Sequence, residues 1–230
     1  MDRPCRLGVV ALGDSITNGH GGMQSGLGSQ SWAQWLAQAL ELPFTKLAQD
    51  GATVRDVVEH QLPRVRADYD VGCVYVGVND VRAIGWDARA YARDLDAILG
   101  ILARRCERTL VATLPLRLGI PPAGADLPGV NATIAALADD HGALVVDLSD
   151  FAGARWVWAD RVHATASGQV EIADRAATAL GAPRLPSHLA DPPRPDLAYR
   201  RHYAQRALRE HARRLWIRAR TLPDRAPERP

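Results

Sequence analysis

Residues 7–19 read LGVVALGDSITNG. The first half, Leu7 to Leu12, is a short apolar run rich in valine, the pattern of a strand buried on both faces. Gly13, Asp14 and Ser15 break that run before a helical pattern resumes. A serine at such a strand-to-helix turn is held out beyond the sheet edge, with its own backbone N–H beside it, as a nucleophilic serine requires. Position 17 is Thr rather than Gly, so this is not the G-x-S-x-G elbow. A serine after aspartate also serves, and more often, as a helix cap.

Outward from this stretch, short apolar runs alternate with longer helical ones. Trp32, Trp35, Leu36, Ala39 and Leu40 recur at helical spacing behind a Ser31 cap. Phe44 to Ala48 predicts a second strand. Val54, Val57, Val58, Gln61 and Leu62 predict a helix that stops near Pro63. Val71 to Val76 predicts a third strand, and Ala88 to Arg105 a helix with Tyr91, Leu95, Ile98, Leu99 and Leu102 on one face. Thr109 to Leu114 predicts a fourth strand, followed by a Pro/Gly-rich loop from Pro115 to Gly129. Val130 to His141 predicts a helix, Ala143 to Asp147 a fifth strand, and Ala166 to Leu180 the last helix of the domain. Strands separated by helices imply an α/β fold with a parallel sheet covered on both faces. Five of them suggest a flavodoxin-like, doubly wound, five-stranded parallel sheet, with function beyond the C-terminal strand ends.

Three further motifs fall near such ends. Asp160-Arg161-Val162-His163 precedes the last helix. A histidine can take a serine's proton near neutral pH, and a carboxylate three residues earlier can reach its other ring nitrogen. An exposed salt-bridged loop would read the same way. Gly77-Val78-Asn79-Asp80 follows the third strand. The Asn79 amide can donate to a developing oxyanion, a contribution of roughly 2.7–4 kcal/mol, or simply end the strand in a turn, where Asp80 would bond backbone. Gly51, in AQDGA, lets backbone approach a substrate oxygen and offer its N–H.

The order Ser, Gly, Asn, Asp-x-x-His resembles the block order of the SGNH/GDSL hydrolases, from about Leu7 to about Leu180. The resemblance implies a serine ester hydrolase of the esterase, lipase or deacetylase type. Ser15 would be its nucleophile, His163 its general base and acid, and Asp160 the group that orients His163. It implies an oxyanion hole from the N–H of Ser15, the N–H of Gly51 and the side chain of Asn79, with no metal and no cofactor. Many relatives have Asn near position 46 and Pro after the histidine. Lys46 and Ala164 stand there instead, which bears on subfamily and substrate rather than on the reaction.

Substrate identity is less legible. Asp14, Trp156 and Trp158 are candidates for substrate contact, and both tryptophans read equally as core or rim residues. Pro121 and Pro122 can form another wall. The glycine-rich loop from Gly19 to Gln30 is either a lid or plain surface. An acylated sugar, a metabolite ester and a lysolipid all suit. Two alternatives stay open: an acyltransferase using the same site, and a catalytically idle binding module.

The composition bounds the rest. The chain has 230 residues, 47% hydrophobic and 23% charged, enough for one α/β domain and an extension. We divide it into a catalytic domain over 1–182, a proline-rich linker or strap over 183–196, and an Arg-rich helical tail over 197–230. From Asp196 onward there are ten Arg against four Asp or Glu, a net of +6, which leaves −4 on the first 195 residues. The tail helix, Leu197 to Leu222, carries a thin apolar stripe of Ala204, Leu208, Ala212, Leu215 and Ala219. Packing that stripe on the domain competes with weak contact to an anionic membrane, where Tyr199, Tyr203 and Trp216 would anchor. Nucleic acid is disfavoured as a partner. A nucleotide site is disfavoured too, since GDSITNGHGG lacks the G-x-G-x-x-G pattern and a P-loop lysine. Cys5, Cys73 and Cys106 form no CxxC pair, and Cys73 reads as core. No signal peptide or membrane-spanning run is apparent, so the expected compartment is the cytoplasm.

Overall fold

The computed structural model describes residues 5–19, 27–28, 30–119 and 124–190 and, in the tail, 197, 200–201, 203–205, 207–209 and 211–212. Five strands form one wholly parallel sheet: β1 (Val9–Gly13), β2 (Phe44–Lys46), β3 (Tyr69–Tyr75), β4 (Cys106–Ala112) and β5 (Leu144–Val146). Their spatial order is β2-β1-β3-β4-β5, the doubly wound order expected. The pairings Val9↔Phe44, Val9↔Val71, Cys73↔Leu110 and Leu110↔Leu144 set its register. Every residue of β1 is buried, which is why it reads as an uninterrupted apolar run rather than an alternating one. The two edge strands are three residues each and only partly buried. Such short edges offer little template for further pairing.

Helices cover both faces. On one, α2 (Trp32–Ala39) packs against α6 (Ala166–Leu180). On the other, α4 (Ala88–Arg105) packs against α3 (Val54–Asp56) and α5 (Leu127–Asp140). A further single turn, α1 (Ser15–Asn18), follows β1. The caps are those the sequence supplies. Ser31 accepts from Gln34 N–H ahead of α2, Asp87 from Arg89 and Ala90 N–H ahead of α4, and Thr165 from Gly168 N–H ahead of α6. The apolar face expected on α4 is the buried one.

Some element boundaries differ from those expected. Helix α5 starts at Leu127, three residues before the expected Val130. Pro128 falls in its first turn, where a missing N–H costs nothing. Strand β4 starts at Cys106, directly at the end of α4, rather than at Thr109. The helix expected from Val54 to Pro63 is continuous, but it widens to a π turn over Val57–Gln61 and tightens to a 3₁₀ turn over Leu62–Arg64. Cys73 and Cys106 are buried and Cys5 is exposed, all three as free thiols.

After α6, Gly181 ends the helix in the left-handed conformation, and a 3₁₀ turn at Pro186–His188 packs back on α6 and α2 with Pro186 buried. The described tail residues are helical. Tyr203 and Ala207 are its half-buried positions, whereas Ala204, Leu208 and Ala212 are exposed. The face turned to the domain is therefore not the aliphatic stripe expected, because the Tyr203 ring stacks on Trp158 (centroids 5.7 Å apart) and fixes the helix rotation. Leu215, Ala219, Tyr199, Trp216, Pro121, Pro122 and most of the Gly19–Gln30 loop lie outside the described residues. Among the described residues, no helix is long and apolar enough to cross a membrane.

Candidate active site

The site is built where β1 and β3 end, at the point where the sheet changes winding direction. Gly13 closes β1 with φ +140°, and a side chain there would collide with the Tyr75 carbonyl of the neighbouring strand. Only glycine fits that approach. Ser15 then opens α1 and is 8% exposed.

Buried polar groups lock this turn from three directions. Gln61, fully buried at the end of the π turn, accepts from Gly13 N–H at 2.8 Å and donates to Gly13 C=O at 2.9 Å. From α6, Gln169 donates to Ile16 C=O at 2.9 Å and accepts from Trp32 N–H at 2.8 Å. The Thr17 hydroxyl donates to Tyr75 C=O and accepts from the Trp32 indole. Both glutamines escape sequence reading as functional groups, since each only marks a helical position. Their one signal is a long polar side chain on an otherwise apolar face.

The Asp160–His163 segment is held differently. An antiparallel bridge pairs Val157 with Ala164, and Trp158 N–H donates to His163 C=O at 2.8 Å, closing a narrow loop. Inside it, Asp160 Oδ1 accepts from the N–H groups of Val162 (2.9 Å) and His163 (3.0 Å). Its Oδ2 lies 3.0 Å from His163 Nδ1. The other ring nitrogen, Nε2, lies 3.0 Å from Ser15 Oγ. The three side chains thus form one hydrogen-bonded chain across 148 residues of sequence. Burial opposes charge on Asp160, but the His163 ring and the two backbone donors outweigh it and hold its pKa at about 2. It stays anionic whenever the histidine needs a partner.

Gly51 and Asn79 meet beside the serine turn. Gly51 is exposed at φ +78°, with open space where a side chain would project. Asn79 Nδ2 donates to Ala52 C=O at 3.0 Å, and the Asp80 carboxylate accepts from Val54 N–H at 3.0 Å. Asp80 thus bonds backbone as expected, both its own N–H and that of Val54 in the neighbouring segment. Asn18 donates to Asp50, joining α1 to the Gly51 loop. Lys46 donates to Asn18 C=O, and Ala164 is buried in the bridge behind His163.

The three residues expected at substrate sit elsewhere. Asp14 is corrected outright: it is 1% exposed, and its Oδ1 caps α1 by accepting from Ile16 N–H. Burial without a partner on Oδ2 raises its pKa to about 7, against the pull of the Ile16 N–H and of His163. Trp156 stacks on Phe151 (centroids 5.9 Å), with the Arg175 guanidinium over both rings. Trp158 is 2% exposed beneath Tyr203 of the tail. Packing, rather than a pocket beside Ser15, accounts for both rings. Among the described residues, no group of three or more His, Cys, Asp or Glu side chains is placed to hold a metal ion.

Residues 11–171 match the family model of the GDSL-like lipase/acylhydrolase family. The chain belongs to this family. It is accordingly a carboxylic ester hydrolase by class. No curated protein matches it in sequence. Several solved structures share its fold. An acetylxylan esterase from Geobacillus stearothermophilus, Axe2, is 20% identical over 77% of this chain and 97% of its own, with a TM-score of 0.58. LAE5, an alpha/beta hydrolase enzyme from the metagenome of Lake Arreo, is 21% identical over 76% of this chain and 94% of its own, with a TM-score of 0.59. A protein from Parabacteroides merdae described as GDSL-like is 16% identical over 78% of this chain and 98% of its own, with a TM-score of 0.58. Variants of the Geobacillus esterase with a serine or an aspartate changed to alanine are each described as a catalytic mutant. None of these proteins is named a transferase, so acyl transfer to an alcohol draws no support from them.

Proposed function

We propose that the chain hydrolyses small carboxylic esters through an acyl-enzyme on Ser15, with His163 and Asp160 as its proton-transfer pair. The observation that carries this reading is the Ser15 Oγ···His163 Nε2 separation of 3.0 Å, with Asp160 on the opposite ring nitrogen. His163 Nδ1–H donates to Asp160, which leaves Nε2 with its lone pair toward the serine. As Oγ attacks the ester carbonyl, Nε2 takes the hydroxyl proton and the anionic carboxylate steadies the imidazolium. The proton then passes to the departing alcohol. Water enters, gives its proton to Nε2, and the acid leaves with Ser15 restored.

The developing oxyanion has three candidate donors: the N–H of Ser15, the N–H of Gly51, and Asn79 Nδ2. An amide nitrogen carries two hydrogens. Asn79 gives one to Ala52 C=O, which fixes its plane, and the other is left for substrate. Acylated sugars are the first substrates to try, given the name of the Geobacillus neighbour.

The test is hydrolysis of p-nitrophenyl esters of increasing acyl length by wild type and Ser15→Ala. The expected result is activity in the wild type and a loss of about 10⁴-fold or more in the variant. Equal rates in the two proteins would sink the assignment of Ser15. The chain-length profile sizes the acyl pocket.

A further inference from the structure

A cavity of about 520 Å³ lies between the tail helix and the loop that carries Asp160. Three separate segments wall it. Arg117 comes from the loop after β4. Residues 152–154 and 157–159, with Arg161, come from the loop between β5 and α6. Tyr203, Ala207 and His211, spaced one helical turn apart, come from the tail. None of Ser15, Gly51, Asn79 or His163 lines it, so it is not the pocket of the proposed reaction.

Its chemistry is one-sided. Among the described residues, two arginines and a histidine line the cavity and no carboxylate does. Neither arginine has an ion-pair partner among the described residues. Burial, and after it the charge of Asp160, pushes the Tyr203 phenol up, and Asp160 itself holds His163 and two backbone N–H groups. One wall is aromatic, where Tyr203 lies stacked on Trp158, and the Tyr203 hydroxyl donates to Val157 C=O. Arg117, Arg161 and His211 are exposed residues that line this one concavity, and guanidinium groups so placed recognise oxyanions through charge-assisted, often paired, hydrogen bonds. A ring surface beside them favours a ligand whose anionic group is joined to a flat apolar body.

We propose that this cavity is a binding site for a small phosphate or phosphate-monoester ligand, with Arg117, Arg161 and His211 on the anion and Tyr203 against its body. Arg161 also gives the site a physical link to the reaction centre. It lies between Asp160 and His163 at φ +59°, its N–H donates to Trp158 C=O, and its own C=O accepts from Gly119 N–H. A ligand held by Arg161 therefore bears on the loop that positions the base.

The experiment is titration calorimetry with phenyl phosphate at physiological ionic strength, where loose surface attraction is largely screened. The full-length wild type is expected to bind it saturably, one ligand per chain. The double variant Arg117→Gln/His211→Gln is expected to bind about a hundred-fold more weakly, since each charge-assisted hydrogen bond contributes about ten-fold. A second variant, Ala207→Trp, keeps every charge and fills the cavity, and is expected to abolish binding. Absence of saturable binding to the wild type would overturn the proposal. So would unchanged affinity in either variant that melts like the wild type. Ester hydrolysis is read separately, so failure here leaves the Ser15 assignment standing, and the reverse.

Discussion

The Ser15 turn and the Asp160–His163 loop are anchored by opposite means. The serine turn is fixed from far away in sequence: Gln61 lies 48 residues from Gly13, and Gln169 lies 153 residues from Ile16. Those bonds are buried, so they exist only when the whole sheet and both helical layers are assembled. The base loop is fixed from within: the bridge Val157↔Ala164 and the two N–H bonds to Asp160 span a handful of residues. Bonds from outside, Gly119 N–H to Arg161 C=O and the Tyr203 hydroxyl to Val157 C=O, add to this local frame rather than create it. The difference teaches that the two halves of one hydrogen-bonded chain should fail differently. Damage to the loop should cost chemistry with little stability. Damage beneath the serine should cost stability first.

Asp160→Asn is the strongest test of the first half. An amide keeps the local shape but places a neutral group on His163 Nδ1 and favours the wrong tautomer. The expected loss in kcat is about a thousand-fold or more, with a melting temperature within a few degrees of wild type. A large drop in stability instead would show that the loop is not self-contained. Asn79→Ala comes next. Removing an oxyanion donor is expected to lower kcat by about 10²–10³-fold with KM little changed. A change confined to KM would assign Asn79 to ground-state binding.

Gln61→Leu probes the second half. It leaves the Gly13 N–H buried without its partner, while Gly13 C=O keeps the Gln49 N–H, a cost of about 1–3 kcal/mol in stability by denaturant unfolding. The kcat of the protein that remains folded is expected to stay within about ten-fold of wild type. A collapse of kcat at unchanged stability would reverse the comparison and make Gln61 a positioning residue for Ser15.

This contrast also explains what the sequence could and could not disclose. The strands were legible because residues such as Val9 to Leu12 and Val71 to Val76 are apolar runs cut off by glycine, and the site motifs stand where those runs stop. Asp160 and His163 were legible as a pair because they sit three residues apart and bond locally. Gln61 and Gln169 were not, because their partners are backbone groups in other elements, which no spacing rule connects to them. The place of Asp14 is not legible, because GDS shows the carboxyl beside the serine while the cap turns it inward. The tail face is not legible from its aliphatic stripe, because Leu208 stays exposed and one aromatic stack at Tyr203 decides the rotation.

Asp14 offers the gentlest perturbation of the buried side, since Asn caps a helix as well as Asp. Its carboxyl is raised from 3.8 to about 7 by burial, so the folded chain holds a proton that the unfolded chain releases. Stability from that proton is fully present below about pH 4 and eroded as pH rises towards 7. Asp80, raised to about 6 by burial, acts with the same sign, so only the difference between wild type and Asp14→Asn isolates Asp14. That difference is expected to shift by about 2 kcal/mol against the wild type between pH 5 and pH 8. Denaturant unfolding of both proteins across that range measures it. A gap that stays constant with pH would mean that Asp14 is ionised throughout, with its charge offset by the Ile16 N–H and His163. The serine turn would then carry a fixed negative charge beneath the histidine, and not one that appears only as the solution is made basic.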